Sequence, residues 1–191
     1  MLLPRLAALL LILGASGLQA AGPSKVEAIR KGEFIEVRAH AIVEAPLSVI
    51  WSTLTDYERL PDFVPGLRKS KVISRQGSTV VIEQSGEARF LMFAFPIEVT
   101  LEALERPPAS IQVRAISGNL RHFEGGYQVE PDAVGPGMVL RWEGSIIPDI
   151  SLPPLIGEVV MRMQIEDQFT GMVREIERRE LVRRAKESTL K

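Results

Sequence analysis

The stretch from residue 41 to residue 61 reads AIVEAPLSVIWSTLTDYERLP and contains the start of the fold. It opens as the end of a strand and then reaches Pro46, which is favoured in the first turn of a helix because its missing N–H would be unpaired there. Apolar residues recur at helical spacing over 49–54, and a second short helix is predicted over 56–60, stopped by Pro61. This stretch therefore predicts a strand followed by two short helices.

On both sides of this stretch, apolar and polar residues alternate, as is typical of half-buried strands. Residues 34–43 place five apolar side chains on one face, and residues 97–103 have the same period. Tight turns are predicted at Gln76-Gly77 and Pro107-Pro108, and Gly125-Gly126 predicts a bulge or a sharp bend within a strand. Together these segments predict about six strands after the two helices.

The chain ends in a long amphipathic helix, which is predicted to begin at Leu155. One side is charged, and the opposite side carries an apolar stripe. The stripe comprises Ile156, Val160, Met163, Ile165, Phe169, Met172, Val173 and Ile176, and the charged side comprises Arg162, Glu166, Asp167, Arg174, Glu175 and Arg178. This order of elements predicts an α+β protein with an antiparallel sheet of seven strands. Because neighbouring strands twist, the sheet is expected to curl around the helix and leave a ligand cavity between them.

Two segments carry a family resemblance. Residues 41–61 resemble the opening of the polyketide cyclase/dehydrase and lipid-transport superfamily, and residues 118–127, GNLRHFEGGY, look like a strand pair of its coenzyme Q-binding branch. The resemblance covers residues 33–182 and implies the START-like helix-grip fold, a curved seven-stranded sheet around a C-terminal helix. It also implies a cavity for a lipid, an isoprenoid quinone or a polyketide, with cyclisation chemistry in some members.

Composition and the N-terminal segment indicate which partners are excluded and where in the cell the protein is expected. The 191 residues include 23 Lys and Arg against 24 Asp and Glu and no cysteine, which argues against nucleic acid as a partner and excludes disulfides. Residues 1–20 have the basic start, apolar core and small cleavage-site residue of a secretory signal. We therefore expect an exported, periplasmic protein with a flexible leader over 21–32, one domain over 33–182 and a charged tail over 183–191.

The predicted ligand-binding residues are the larger side chains expected on inward strand and helix faces, together with an uncharged segment over 90–95 that reads FLMFAF. As a set they fit either an open cavity or a filled core. The set is Trp51, Phe90, Phe93, Phe95, Val99, Leu101, Val113, Phe123, Tyr127, Leu140, Trp142, Met163, Phe169 and Met172. The 90–95 segment is read either as a buried strand or as a cavity mouth that touches a membrane.

Few residues point to catalysis or metal binding. His40 and His122 lie on separate predicted strands, where a surface role is the ordinary one, and no spacing supports a metal site. Tyr127 is the one obvious proton donor on the inward faces. We therefore expect a binder of a hydrophobic small molecule or lipid, without a cofactor and with transient membrane contact. The alternatives are a cyclase or dehydrase and a non-catalytic interaction module.

Overall fold

A computed structural model describes residues 25–90, 93–148 and 154–190 of the chain. The predicted signal over 1–20 lies outside the described residues. Eight strands form one antiparallel sheet in the order β1-β2-β8-β7-β6-β5-β4-β3. The strands are β1 (Lys25–Lys31), β2 (Phe34–Val43), β3 (Leu67–Gln76), β4 (Thr79–Phe90), β5 (Phe93–Arg106), β6 (Ser110–Gly118), β7 (Leu120–Pro131) and β8 (Met138–Pro148).

The two predicted short helices and the long terminal helix are present. α1 spans Leu47–Leu54 and is followed by a 3-10 helix over Tyr57–Asp62, while α2 runs without a break over Pro154–Thr189. The α+β helix-grip architecture predicted from the sequence is therefore confirmed. The predicted boundary at residue 183 marks no structural break, because α2 continues through it.

The predicted count of seven strands is wrong by one, and the extra strand is β1. Residues 25–31 were expected to belong to a flexible leader, but they pair with β2 along their whole length, from Lys25 opposite His40 to Lys31 opposite Phe34. The alternation in β1 is weak because its half-buried face carries Val26, Ala28 and Arg30. A short strand with one charged inward residue shows little alternation of apolar and polar residues. This explains why β1 was not predicted from the sequence.

Two turn predictions have different outcomes. The β3–β4 turn at Gln76-Gly77 is present, with Gly77 at φ 58°, a left-handed conformation that glycine adopts without steric cost. A bulge or a sharp bend was predicted at Gly125-Gly126, and the bulge is absent, since both the β6–β7 and the β7–β8 registers pass through these residues without a shift. The two glycines instead allow close approach of neighbouring backbone, because a Cβ on Gly126 would collide with the carbonyl oxygen of Ile111.

The core lies between the inward face of the sheet and α2. Phe169 and Ile176 on the helix and Ile35, Ile82 and Leu140 on three strands are almost completely buried. The apolar stripe predicted for α2 is correct at these helix positions but wrong at Met163, which is 47% exposed. Ile156 belongs to the same predicted stripe, and its side chain lies outside the described part of the chain.

The C-terminal half of α2 is held tightly against the first helices. Gly171 packs so closely on the chain after the 3-10 helix that a Cβ there would collide with the carbonyl oxygen of Phe63. Arg179 donates to Asp56 Oδ2 at 2.8 Å and to Glu175 Oε1 at 2.7 Å, and its guanidinium lies 5.5 Å from the centre of the Phe63 ring. These contacts fix one half of the helix and leave its N-terminal half to border a cavity.

Candidate ligand cavity

A cavity of about 140 Å³ lies between the N-terminal half of α2 and strands β4, β5, β7 and β8. It is the predicted gap between sheet and helix, but it occupies only one end of that interface. Most of its wall is aliphatic or aromatic. The lining residues are Gly66, Leu67, Gln84, Ser85, Gly86, Glu87, Ala88, Ile97, Val99, Leu101, Leu120, Phe123, Ile146, Met161, Gln164, Ile165 and Gln168.

Small residues on β4 explain why the space exists. Gly86 and Ala88 follow Ile82 and Gln84 on the inward side of this strand, so the side chains become shorter toward its end. The chain at Gly66 crosses over this end, and its carbonyl oxygen accepts a hydrogen bond from the Glu87 N–H at 2.8 Å. Because Gly66 is exposed and also lines the cavity, the cavity opens to solvent on this side.

Neutral polar groups interrupt the apolar wall. Gln84 Nε2 donates to Ser70 Oγ at 3.1 Å, and α2 contributes the half-buried amides of Gln164 and Gln168. An amide can both donate and accept hydrogen bonds, so these side chains can pair with a carbonyl or a hydroxyl group. The wall therefore combines apolar surface with a few uncharged hydrogen-bonding positions.

The lining residue that ionises, Glu87, is already paired. Its carboxylate accepts hydrogen bonds from Arg89 and Arg68. The hydrogen bond from Arg89, followed by that from Arg68, lowers the pKa of Glu87 below its ordinary value, so it is ionised and neutralised at pH 7. Within the described lining no unpaired charge faces the cavity.

The fourteen predicted ligand-binding residues divide among several locations. Val99, Leu101 and Phe123 line the cavity. Four others lie in the packed core away from it, namely Leu140, Trp142, Phe169 and Met172. Two more, Trp51 and Tyr127, are half-buried against that core, and Tyr127 also borders a concavity on the opposite face of the sheet.

The remaining predicted residues lie elsewhere. Met163 faces solvent, which corrects its placement on the inward stripe, and Phe95 is half-buried on β5 without lining the cavity. Val113 is half-buried against the core and also borders the concavity on the opposite face of the sheet. The side chains of Phe90 and Phe93 lie outside the described residues, although their backbones end β4 and begin β5. The 90–95 segment is therefore shared between two strands and does not form a single buried strand.

Sequence reasoning missed the polar and small residues of the wall. Gln84 and Gly86 take inward positions of β4, where the alternation would predict apolar side chains. Gln164 and Gln168 are four residues apart on α2 and so share a helix face, which is the one local signal that could have placed them together. A search restricted to large apolar side chains could not find them.

Tyr127 does not provide the cavity with a proton donor. Its ring stacks on Phe169 with centroids 6.5 Å apart and an interplanar angle of 11°, and it does not line the cavity. Burial raises the pKa of the Tyr127 hydroxyl well above its usual range, so it stays protonated. The cyclase alternative required this residue, or a charged group near it, to reach the cavity.

The two histidines also lie away from the cavity. His40 is exposed on β2. A ring nitrogen of His122, Nε2, lies 2.9 Å from Ser145 Oγ, and the ring meets that of Phe34 edge to face at 5.1 Å.

Across the described ranges no group of three or more acidic or histidine side chains is placed to hold a metal ion. Nor, over the same ranges, is any helix both long enough and apolar enough to cross a bilayer.

A curved antiparallel sheet, a long C-terminal helix and a cavity between them define a START-like helix-grip domain. The sequence model for the family described as polyketide cyclase/dehydrase and lipid transport matches residues 43–175. The chain therefore belongs to this family. The match is to the family as a whole, and assignment to its coenzyme Q-binding branch stays a prediction.

Solved structures agree with the fold at low sequence identity. A STAR-related lipid transfer protein from Xanthomonas axonopodis is 12% identical with a TM-score of 0.67, covering 81% of this chain and 93% of its own. The Zhui aromatase/cyclase from Streptomyces is 14% identical with a TM-score of 0.64, covering 78% and 95%. Human STARD10 is 11% identical with a TM-score of 0.61, covering 81% and 69%. A search of curated proteins by sequence finds no match.

Proposed function

We propose that this protein binds an uncharged hydrophobic molecule in the cavity beneath the N-terminal half of α2. The observation that carries the proposal is the wall itself, in which apolar side chains surround three glutamine amides and the one ionisable residue among the described lining residues, Glu87, is already ion-paired. An ionised ligand group buried there would lack a counter-charge, which costs several kcal/mol. The family and the fold support a small hydrophobic ligand.

The size of the cavity limits which part of a ligand can be enclosed. Its volume is about 140 Å³, and an apolar cavity of roughly 150 Å³ is known to bind benzene. The cavity thus holds one six-membered ring or a short alkyl segment of the ligand. A longer ligand tail would extend into solvent through the opening beside Gly66. Burying a ring of about 150 Å² would contribute about 4 kcal/mol.

Hydrogen-bonding groups narrow the ligand class. The carbonyl and hydroxyl oxygens of a quinone or a polyketide-like ring can pair with the amides of Gln84, Gln164 and Gln168. A fatty-acid carboxylate placed in the same position would meet no free cation among the described lining residues, because the nearby Arg68 and Arg89 are paired with Glu87. The proposed ligand is therefore an isoprenoid quinone or a polyketide-like ring, with other neutral lipids as the broader class.

We further propose that the protein acts outside the cytoplasm after removal of residues 1–20. Support comes from the amino-acid order of this segment, with Arg5 before an apolar run and Ala20 at the expected cleavage site. Cleavage would leave the chain starting at Ala21, four residues before β1.

Mass spectrometry of the full chain expressed with its own N-terminus in a bacterial host tests both proposals. Organic extraction of the purified protein is expected to release a neutral, ring-containing lipid in stoichiometric amount, and the intact mass is expected to begin at Ala21. Absence of any co-purified lipid, together with no uptake of added short-chain quinones, would contradict the binding proposal. A mass that retains residues 1–20 would contradict export alone.

The end of the β4–β5 hairpin is proposed to make the membrane contact through which the ligand is exchanged. Residues 88 and 97, which line the cavity, lie a few positions from this hairpin end, and the segment between Arg89 and Pro96 carries no charge. Apolar side chains beside a cavity mouth favour insertion at a bilayer surface.

Liposome flotation is expected to show that Phe93→Asp reduces membrane association at least about fivefold, because a carboxylate opposes burial among lipid chains. Val134→Asp is the matched control, since Val134 is 96% exposed on the β7–β8 loop, and it is expected to float like the unmodified protein. Equal flotation of all three proteins would remove this role.

A further inference from the structure

A second and much larger concavity lies on the face of the sheet turned away from α2. Its volume is about 680 Å³, against about 140 Å³ for the ligand cavity, and the two share no lining residue. Strands β2, β8, β7, β6 and β5 form its surface, and β7 is the middle strand of these five. We call this concavity the outer trough.

Gly126 makes the floor of the outer trough. It lies on β7, opposite Gln112 of β6 on one side and Glu143 of β8 on the other. No side chain rises from this position between Gln112 and Glu143, and the β6 backbone lies so close that a Cβ would collide with the carbonyl oxygen of Ile111, so the floor here consists of backbone. A glycine required by strand packing thus also creates a groove along β7.

Charges are distributed unevenly along this groove. The strand registers place Arg141, Gln128, Ser110 and Arg106 in one row across β8, β7, β6 and β5. A second row crosses β7 four residues away, at Glu124. From β2 to β5 it contains Glu36, Ser145, Glu124, Arg114 and Glu102. At about 3.3 Å per residue, the basic row and the acid-rich row are about 13 Å apart.

Several of these charges already have partners, but one remains at each end. Glu102 pairs with Arg114 at 2.7 Å, Arg141 with Glu130 at 2.6 Å, and Glu36 with Lys31 at 2.7 Å. Arg106 and Glu124 form no ion pair with any part of the chain that the structure describes. Arg38 and Glu143 also line the outer trough without a close ion pair in the described structure, but they lie opposite each other in the row between the two ends, where their charges offset each other. Outside that row, the outer trough presents an unneutralised cation, Arg106, at one end and an unneutralised anion, Glu124, at the other.

We propose that the outer trough is a second binding site, for a short extended peptide that carries one acidic and one basic side chain four residues apart. An extended peptide advances about 3.3 Å per residue, so four residues cover the roughly 13 Å between the two rows. Arg106 on β5 and Glu124 on β7 are also two strands, or about 10 Å, apart across the groove, so the charged side chains of the peptide reach sideways to them. Gln112 lies in the row between the two charges, and Ser110 and Gln128 lie in the basic row beside Arg106. All three side chains can hydrogen-bond peptide groups.

The charge balance of the outer trough favours a peptide over a polyanion. Its lining contains four arginines and four glutamates, so a nucleic acid would meet as many repulsive as attractive groups. A ligand with both signs can complement both ends, and it can do so in only one orientation. The site is independent of the ligand cavity, so either proposal can fail without the other.

Titration of isotope-labelled protein with the peptide acetyl-Asp-Ala-Ala-Ala-Lys-amide, followed by NMR, tests the proposal. The backbone amides of Gly125, Gly126 and Gly144 border the outer trough and serve as reporters. Their resonances are expected to shift saturably with a Kd of about 1 mM or tighter. The same peptide with Asn and Gln replacing its charged residues is expected to produce no saturable shift.

Charge-reversal variants separate recognition from folding. Arg106→Glu or Glu124→Lys alone is expected to weaken binding about tenfold, because one end then repels the peptide. The double variant inverts the groove and is expected to recover binding, with the peptide reversed. Lys71→Glu, an exposed position on β3 outside the outer trough, is the matched control and should bind normally. Lack of saturable shifts at the three glycines, or binding that ignores both reversals, would overturn the proposal.

Discussion

Replacing Val99 by tryptophan is expected to abolish binding of a neutral hydrophobic probe while the protein still folds. Val99 lies on β5 opposite Gln84 of β4, is 8% exposed, and lines the ligand cavity. An indole in place of its isopropyl group would occupy most of the available 140 Å³. The ring of the ligand and the new side chain compete for the same volume, so the burial energy of the ligand is lost.

Fluorescence titration with N-phenyl-1-naphthylamine provides the measurement. The dissociation constant of Val99→Trp is expected to rise at least about 30-fold, which corresponds to roughly 2 kcal/mol of lost binding free energy. The free energy of unfolding should change by no more than about 1–3 kcal/mol, the ordinary cost of overpacking. Ile116→Trp is the matched control because Ile116 is 46% exposed on β6, away from the cavity. Tight probe binding by folded Val99→Trp would place the ligand elsewhere.

Glu175→Gln is expected to destabilise the protein strongly at neutral pH and much less in acid. Glu175 is buried on α2, and its carboxylate accepts hydrogen bonds from Arg178 at 2.6 and 2.8 Å and from Arg179 at 2.7 Å. The hydrogen bonds from Arg178, and then those from Arg179, lower the pKa of Glu175 from 4.5 to about 2. Arg179 also pairs with Asp56, so this cluster holds the fixed half of α2 against the first helices.

The pH dependence follows from the direction of that pKa change. A carboxyl whose pKa is lower in the folded state stabilises the fold above its unfolded pKa, and this stability is lost as the pH falls toward the folded pKa. Here the window runs from about pH 4.5 down to about pH 2. The stabilisation by the ionised carboxylate is therefore complete at pH 7, and only part of it remains at pH 3.

Urea unfolding of the unmodified protein and Glu175→Gln at pH 7 and pH 3 measures this difference. The gap between their free energies of unfolding should shrink as the pH falls. Glu166→Gln is the matched control, because Glu166 forms an exposed ion pair with Arg162 on the same helix. Exposed pairs of this kind contribute only about 0–1 kcal/mol, so this variant should change stability little at either pH. A gap for Glu175→Gln that is equal at the two pH values would refute the assigned role.

The architecture was predictable because its signals are local. Alternation along β2 and β5, helical spacing after Pro46, and the apolar stripe of α2 each depend on one segment of chain. β1 escaped prediction for the same reason, since its inward face has no strong local pattern and its stability comes from pairing with β2. Its place at the sheet edge is a property of two segments together.

The candidate site was less predictable because a cavity forms where several segments of the chain do not pack fully against one another. No single segment contains that information. Periodicity correctly put Val99, Leu101 and Phe123 on the inward face, and it put Phe169 and Met172 on the helix facing them. It could not show which of them contact one another and which border empty space. That distinction depends on where α2 is clamped and where small residues of β4 shorten the wall.

The order of apolar, polar and turn residues along this chain determined a curved antiparallel sheet with a long helix across it, because each element buries the face that its own period makes apolar. Only the tertiary structure decided that the space left between them is small, uncharged and confined to one end of α2. It also decided that a larger charged trough lies on the opposite face. The register of five strands, which no single segment specifies, determines which charges meet there and which are left without a partner.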